Sequence, residues 1–335
     1  MSGVEFVSVT PDDEGCRLDK WLKRRYPQLT QGQIQKLLRS KQIKVDNKKV
    51  EASFHVEAGQ TVRVPPLADK GSVMKNAAER RAAAVVSDED AAFVRSLVLH
   101  KDDQIIVINK PAGLAVQGGT GQTRHLDGLL SALRFEKPEN PRLVHRLDKE
   151  TSGALVLART PAAAAKLADA FAKGLAKKVY WALVDGNPEM QEGKIDAKLL
   201  KVSGENGGES VVVDNKNGKR AVTLYRVADT VYGKAAWLEL MPLTGRTHQL
   251  RVHCAYMGHA ILGDSKYAKD VKSDWLPNGK SLHLHAYAVR FPHPSGKMFE
   301  ICAPLNEKMV QDFDFLGFSY KMKKHPFKEF MEVIS

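Results

Sequence analysis

The sequence predicts an α+β protein, in which a body on a mainly antiparallel mixed sheet follows a small helix-and-strand module at the amino terminus. Three observations carry that expectation. From about residue 97 short β-rich runs dominate without the alternating strand and helix rhythm of a doubly wound sheet. Residues 16–64 form a separate stretch with its own apolar periodicity and its own charge. The 335 residues also exceed what one compact core usually organises, so a small domain joined to a larger one is expected.

Within the first module, Leu18, Trp21 and Leu22 share the i, i+3, i+4 face of a helix that ends before Pro27. Thr30 followed by Gln33 makes a capping box for a second helix, whose Ile34, Leu37 and Leu38 repeat the spacing. Strand signals follow at 43–45 and 61–64, with Asp46-Asn47 as a turn. Pro65-Pro66 closes the module, and a linker is expected over 65–95, where Ala, Lys and Arg dominate with little periodicity. The body should then occupy 96–335. Strands are predicted at 104–109, 155–158, 179–184, 221–227 and 236–240, and a helix over 161–175 with Thr160 as cap and Pro161 in its first position. Beyond Phe313, the aromatics Phe315, Phe318, Tyr320, Phe327 and Phe330 read as a tail that packs on the body.

Charge narrows the partners. Lys and Arg number 51 against 39 Asp and Glu, a formal net charge of +12, which suits a polyanion. Much of the excess is local, since residues 16–50 hold eleven bases against the two acids Asp19 and Asp46. Cys16, Cys254 and Cys302 show no paired spacing, so neither a disulfide framework nor a zinc knuckle is indicated. No apolar run reaches the roughly 20 residues needed to span a bilayer, and the start lacks the pattern of a secretory signal. A soluble, cytoplasmic monomer with no membrane partner is expected. The absence of a GxGxxG or P-loop pattern removes the commonest nucleotide cofactors.

The helices of the first module resemble the αL-type RNA-binding domain shared with a small-subunit ribosomal protein, through RLDKWL at 17–22 and LLRxxxIKVDN at 37–47. That resemblance makes Arg17, Lys20, Lys36, Arg39 and Lys44 candidates for phosphate contact. In the body, the string HRLDKETSG at 145–153 resembles the signature of the RluA-type pseudouridine synthases. NKPAGLAV at 109–116, KVYWALV at 178–184 and PLTGRTHQLRVHCAYMGHAILGD at 242–264 agree with the same family in the same order. With the basic module and AVQGGTG at 115–121, the RluC and RluD branch is the best match.

The resemblance implies a pseudouridine synthase fold, large-subunit ribosomal RNA as partner, and an isomerisation that needs neither cofactor nor metal. It assigns the family's aspartate to Asp148, which either adds covalently to sugar or base or removes a ribose proton. Tyr180 takes the place of the active-site tyrosine, whose ring stacks on uracil and whose hydroxyl lies near the proton lost from carbon 5. Arg251, the second Arg of GRTHQLR, takes the place of the residue that pairs with the aspartate. Arg146 takes the place of an arginine that enters the RNA stack where the target nucleotide has flipped out. His145 and Lys149 are expected to shape the loop and touch RNA backbone.

Two other readings stand beside this one. A non-catalytic RNA-binding or ribosome-assembly factor could keep the same fold, against which the intact Asp148, Tyr180 and Arg251 argue. A metal-dependent RNA hydrolase rests only on His248, His253, His259, His283 and His285, whose spacing fits neither HExxH nor a zinc deaminase.

Overall fold

In the computed structural model of the chain, residues 4–67, 86–118, 124–203, 209–231, 233–321, 323, 326–328 and 330 are described. The chain divides into two compact units, Met1–Val85 and Val86–Ser335. Most of the stretch expected to be a linker, residues 68–85, lies outside the described residues, as do Gly119 to Gly121 of the AVQGGTG segment.

In the first unit, β1 (Glu5–Ser8) precedes helices α1 (Leu18–Arg25) and α2 (Gln31–Arg39). Strands β2 (Lys44–Val45) and β3 (Thr61–Val64) complete a sheet of order β1-β3-β2. The helices form where the periodicity places them: α1 buries Leu18, Trp21 and Leu22, and α2 buries Ile34 and Leu38. The capping box is complete, with Thr30 accepting from the Gln33 backbone N–H and Gln33 Oε1 accepting from the Thr30 backbone N–H. Asp46 and Asn47 turn the chain in the left-handed region at φ +48° and +61°, which short polar side chains tolerate. Strand β1 lies before the 16–64 stretch and adds Val7 to the core, so the packed unit begins earlier than the apolar periodicity suggests. Arg17, Lys20, Lys36 and Arg39 are exposed and Lys44 is half-buried. The Arg17 fork is already engaged by the buried Asp19, at 3.2 and 2.8 Å.

The second unit begins with helix α3 (Asp88–Ser96), which falls inside the span read as linker; Ser87 caps it and Val94 buries it in the body's core. Strands β4 (Val98–Lys101) and β5 (Ile105–Lys110) follow, then the short helix α4 (Leu126–Leu129), β6 (Arg142–Leu143) and β7 (Ser152–Ala158). Helix α5 (Pro161–Ala172) leads to strands β8 (Lys177–Asp185), β9 (Glu192–Ser203), β10 (Glu209–Val213), β11 (Lys219–Val231) and β12 (Ala235–Pro242). After α6 (Gln249–Tyr256) come β13 (Leu284–Pro292), β14 (Met298–Cys302) and α7 (Glu307–Leu316). The sheet runs β10-β9-β11-β12-β8-β13-β7-β5-β4, with β14 on β13 and β6 on β7. Only the β13–β7 pair is parallel among the described pairs, as a mainly antiparallel α+β body requires.

Alternation along the central strands sets two faces. On β8, Tyr180, Ala182 and Val184 join one core with Leu155, Leu157, Leu238 and Leu284. Val179, Trp181 and Leu183 join another, where Trp181 stacks on Tyr287 with centroids 3.7 Å apart and meets Trp237 edge-on. The aromatic tail covers this second face: Phe318, Phe327 and Phe330 are buried there and Tyr320 packs beside them, while Phe315 stays exposed. Covering it leaves the Tyr180 face to form the wall of a cleft.

Candidate active site

The cleft, about 740 Å³, is lined by the 145–149 loop, by residues 244–251 leading into α6, by Tyr180 and Lys178 of β8, and by residues 115–117. Its floor is made by fixing the loop that carries Asp148. Lys110 ends the apolar strand β5 and is fully buried, so its ammonium must find partners. It donates to the carbonyls of Pro111 (2.8 Å), Leu114 (2.8 Å) and Lys149 (3.0 Å), and the Gly113 N–H reaches the same Lys149 carbonyl. Burial pushes Lys110 down to about 7, against the attraction of Glu150 and Asp148. One residue past the loop, Gly153 has φ +113°, and a Cβ there would lie 2.3 Å from the Ala286 carbonyl oxygen. Only glycine lets β7 reach β13 at this point, directly after the Asp148 turn.

The opposite wall is built around Gln249, which is buried and uses both ends of its amide. Its Oε1 accepts from Thr244 Oγ1 (2.8 Å) and the Arg246 N–H (3.0 Å), while Nε2 donates to the Val222 carbonyl (2.9 Å) and Thr223 Oγ1 (3.0 Å). These bonds tie the start of α6 to β11. Within the same helix, Arg251 points its fork at Asp264, Nε to Oδ2 and Nη2 to Oδ1, both 2.7 Å. Asp264 follows Gly263, whose φ of +72° and closeness to the Ser281 carbonyl exclude a side chain. The direct pairing expected between Arg251 and Asp148 is therefore not what the structure has. Arg251 acts on Asp148 through charge, because its planar fork is filled by Asp264. Asp148 is half-buried, and among the described residues the His248 imidazole faces it, Nε2 to Oδ2 3.9 Å.

Six residues singled out in the sequence meet here: Asp148, Tyr180, Arg251, Arg146, His145 and Lys149 all line the cleft. Burial and the nearby Asp148 charge push the Tyr180 hydroxyl well above its usual range, so it stays a phenol at neutral pH. Arg146 is exposed at the rim, and its guanidinium has no hydrogen bond or ion pair among the described residues. His145 is used differently. Its Nε2 accepts the Val156 N–H at 2.9 Å, its ring stacks on Phe171 at 4.3 Å, and burial with the Lys178 charge pushes it down to about 3. It is a neutral brace between the loop and β7. Arg17, Lys20, Lys36, Arg39 and Lys44 belong to the other unit.

The remaining histidines are spread through the body as hydrogen-bonding groups. His283 bonds Asp312 (2.7 Å), His285 bonds Ser152 (2.9 Å) and the Ala303 carbonyl, His253 bonds Thr223, and His259 bonds the Asp185 carbonyl. His283 and His285 each serve a different tie across the sheet.

Residues 104–256 match the RNA pseudouridylate synthase family, and residues 16–62 match the S4 domain. The mitochondrial RNA pseudouridine synthase 4 of Arabidopsis thaliana is 36% identical over 97% of this chain and 81% of its own length. The ribosomal large subunit pseudouridine synthase C of Vibrio cholerae is 34% identical over 92% of this chain and 95% of its own. The chain belongs to the RNA pseudouridylate synthase family. A solved structure of human RNA pseudouridylate synthase domain containing 4 covers 70% of this synthase and 99% of the human chain, with TM-score 0.58 and 29% identity. No helix of the described residues is long and apolar enough to cross a membrane.

Several groups that build the synthase's cleft are not marked by sequence reasoning. Lys110 does carry a signal, since a lone lysine closing the run QIIVIN has to be paired or solvated. Lys178 and Asp264 stand at the ends of family-like strings that assign them no role, and Tyr267 lies outside those strings. His248 reads in the sequence as one of the scattered histidines, yet it faces Asp148.

Proposed function

We propose that this synthase isomerises uridines in large-subunit ribosomal RNA, with Asp148 as the reacting group. The observation that carries the reading is that Asp148 is the one carboxylate among the residues lining the cleft, set among Arg146, Lys149, Lys178, Lys201, Arg246 and Arg251. A cleft so rich in cations suits a phosphodiester chain, and within it one carboxylate is available as nucleophile or base. The large-subunit relative named above, similar over nearly its whole length, supports the choice of RNA.

The reaction breaks the bond between ribose C1′ and uracil N1 and joins C1′ to C5. The C5 proton is lost and N1 gains one, so nothing is oxidised or transferred away. Asp148 serves by adding to sugar or base, or by taking a ribose proton. Tyr180, held as a phenol, offers a ring face to the uracil and a hydroxyl beside C5. Arg251 supplies positive charge behind the carboxylate while Asp264 holds it still. Arg146, at the rim, fills the space left in the RNA stack when the nucleotide turns out. Lys149 meets the backbone, His145 braces the loop, and the basic face of the first unit adds electrostatic affinity.

The test is Asp148→Asn, which removes charge with little change in volume. Tritium release from carbon-5-labelled uridine in ribosomal RNA should vanish while affinity for the RNA is retained. Appreciable turnover by the variant removes Asp148 from the chemistry. Mapping pseudouridine in ribosomal RNA from cells lacking the protein should show specific positions unmodified; full modification there would send the search to other RNAs.

A further inference from the structure

His248 stands in the cleft, and no step of the reading above uses it. It opens α6 with a left-handed backbone, φ +52°, uncommon outside glycine, though Asn, Asp and His adopt it more often than other residues. The turn aims the imidazole with Nε2 3.9 Å from Asp148 Oδ2 and Nδ1 2.7 Å from the Tyr267 hydroxyl.

The hydroxyl fixes the tautomer. Tyr267 Oη accepts the Val211 N–H from β10 at 3.1 Å, so its own hydrogen is left to donate, and Nδ1 is the acceptor within reach. A neutral histidine that accepts at Nδ1 carries its proton on Nε2, which here faces the carboxylate. The groups around the ring favour that neutral form. Burial lowers its pKa, Asp148 and Asp264 oppose the change, and Arg251 and Lys266 reinforce it. Tyr267, raised by burial, remains a phenol. Its ring lies against the Arg251 guanidinium at 5.1 Å, so Tyr267 packs on the pair that Arg251 makes with Asp264.

We propose that His248 is a positioning residue for Asp148: its Nε2–H, locked by Tyr267 through Nδ1, hydrogen-bonds one carboxylate oxygen when RNA fills the cleft and leaves the other to react. The separation of 3.9 Å must shorten by about 1 Å, a tightening of the kind that catalytic contacts undergo when substrate binds. The proposal rests on Asp148 as the reacting group.

The experiment compares single-turnover rates at saturating enzyme with RNA affinity. His248→Asn suits the left-handed backbone and withdraws the donor from Asp148. It should slow the chemical step about ten- to hundredfold with affinity unchanged within about twofold. His248→Gln, whose amide nitrogen reaches about as far as Nε2, should recover most of that loss. Tyr267→Phe keeps the ring beneath Arg251 and deletes the hydroxyl. It should cost about fivefold in the otherwise native protein and less than about twofold beside His248→Gln, where no tautomer needs locking. An Asn variant at the native rate, a Gln variant no faster than Asn, or an equal Tyr267→Phe cost in both backgrounds overturns the proposal. Asp148→Asn, run alongside, separates the two ideas. Turnover by that variant removes the reading of Asp148 itself, whereas an inactive Asp148→Asn beside a fully active His248→Asn removes only the role of His248.

Discussion

Replacing Arg251 by Met separates the buried pair with Asp264 from the charge that Arg251 presents to Asp148. The two side chains are 10% and 0% exposed and joined by two bonds of 2.7 Å. Removing one partner of a buried ion pair costs about 3–5 kcal/mol, mostly for the charge left behind. Asp264 Oδ1 keeps the N–H groups of Lys266 (2.9 Å) and Tyr267 (3.0 Å), which places the expected loss near the lower end, about 3 kcal/mol. The pH dependence has a definite sign. Burial opposes ionisation of Asp264, but the Arg251 bonds and charge and the two backbone N–H groups outweigh it and hold the carboxyl below its usual range. Stability from a lowered carboxyl is complete above about pH 4 and is lost as pH falls through the folded value. Urea titrations should therefore show a gap between native and Arg251→Met protein at pH 7 that narrows on acidification. Arg251→Lys, with charge but no fork, should fall between them. Adding Asp264→Asn to Arg251→Met should restore part of the stability, by removing the stranded charge, but not the turnover. Equal urea midpoints at pH 7, or a gap that persists in acid, would refute the reasoning.

Lys110→Met keeps length and removes the donor shared by three carbonyls, one of which retains the Gly113 N–H. A loss of about 1–3 kcal/mol in urea and slower turnover through a looser Asp148 loop are expected; native values in both would show that Lys110 does not hold the loop. Gly153→Ala drives a methyl to 2.3 Å from the Ala286 carbonyl at φ +113°, so a melting temperature lowered by several degrees, from about 2 kcal/mol or more, is expected by calorimetry. An unchanged melting temperature would mean that β7 and β13 can part there freely. Deleting residues 1–85 should leave a folded body, bind ribosomal RNA more weakly, and flatten the log–log salt dependence by about 0.7–0.9 for each phosphate no longer neutralised. A salt series with unchanged slope would make the basic face of the first unit a solubilising surface.

Local signals suffice for most elements. The capping box at Thr30, the apolar faces of α1 and α2, and the runs that form β5, β7 and β8 each depend on neighbours a few residues apart. The strands without such a signal have a different origin. Strand β9, EGKIDAKLLKVS, carries charges along its length, and β1 is four residues outside the module's periodic stretch; both are fixed by pairing, β9 with β10 and β11 and β1 with β3. Helix α3 is hidden within the expected linker because its apolar contact, Val94, is with a core built from residues that come later.

By itself the sequence determined the α+β class, the basic first module and the ordered motifs that mark a pseudouridine synthase family, together with six of the residues that line its cleft. It could not determine which charged groups touch. Arg251 belongs to Asp264, thirteen residues on, and Lys110 to the carbonyl of Lys149, thirty-nine residues on. His248 faces Asp148 with its other nitrogen against Tyr267, on a loop tied to β10 through Val211. Such partners are selected by distance and burial after the sheet has formed. An Arg beside two acids pairs with the one whose geometry takes both ends of its fork, and that choice exists only in the folded chain.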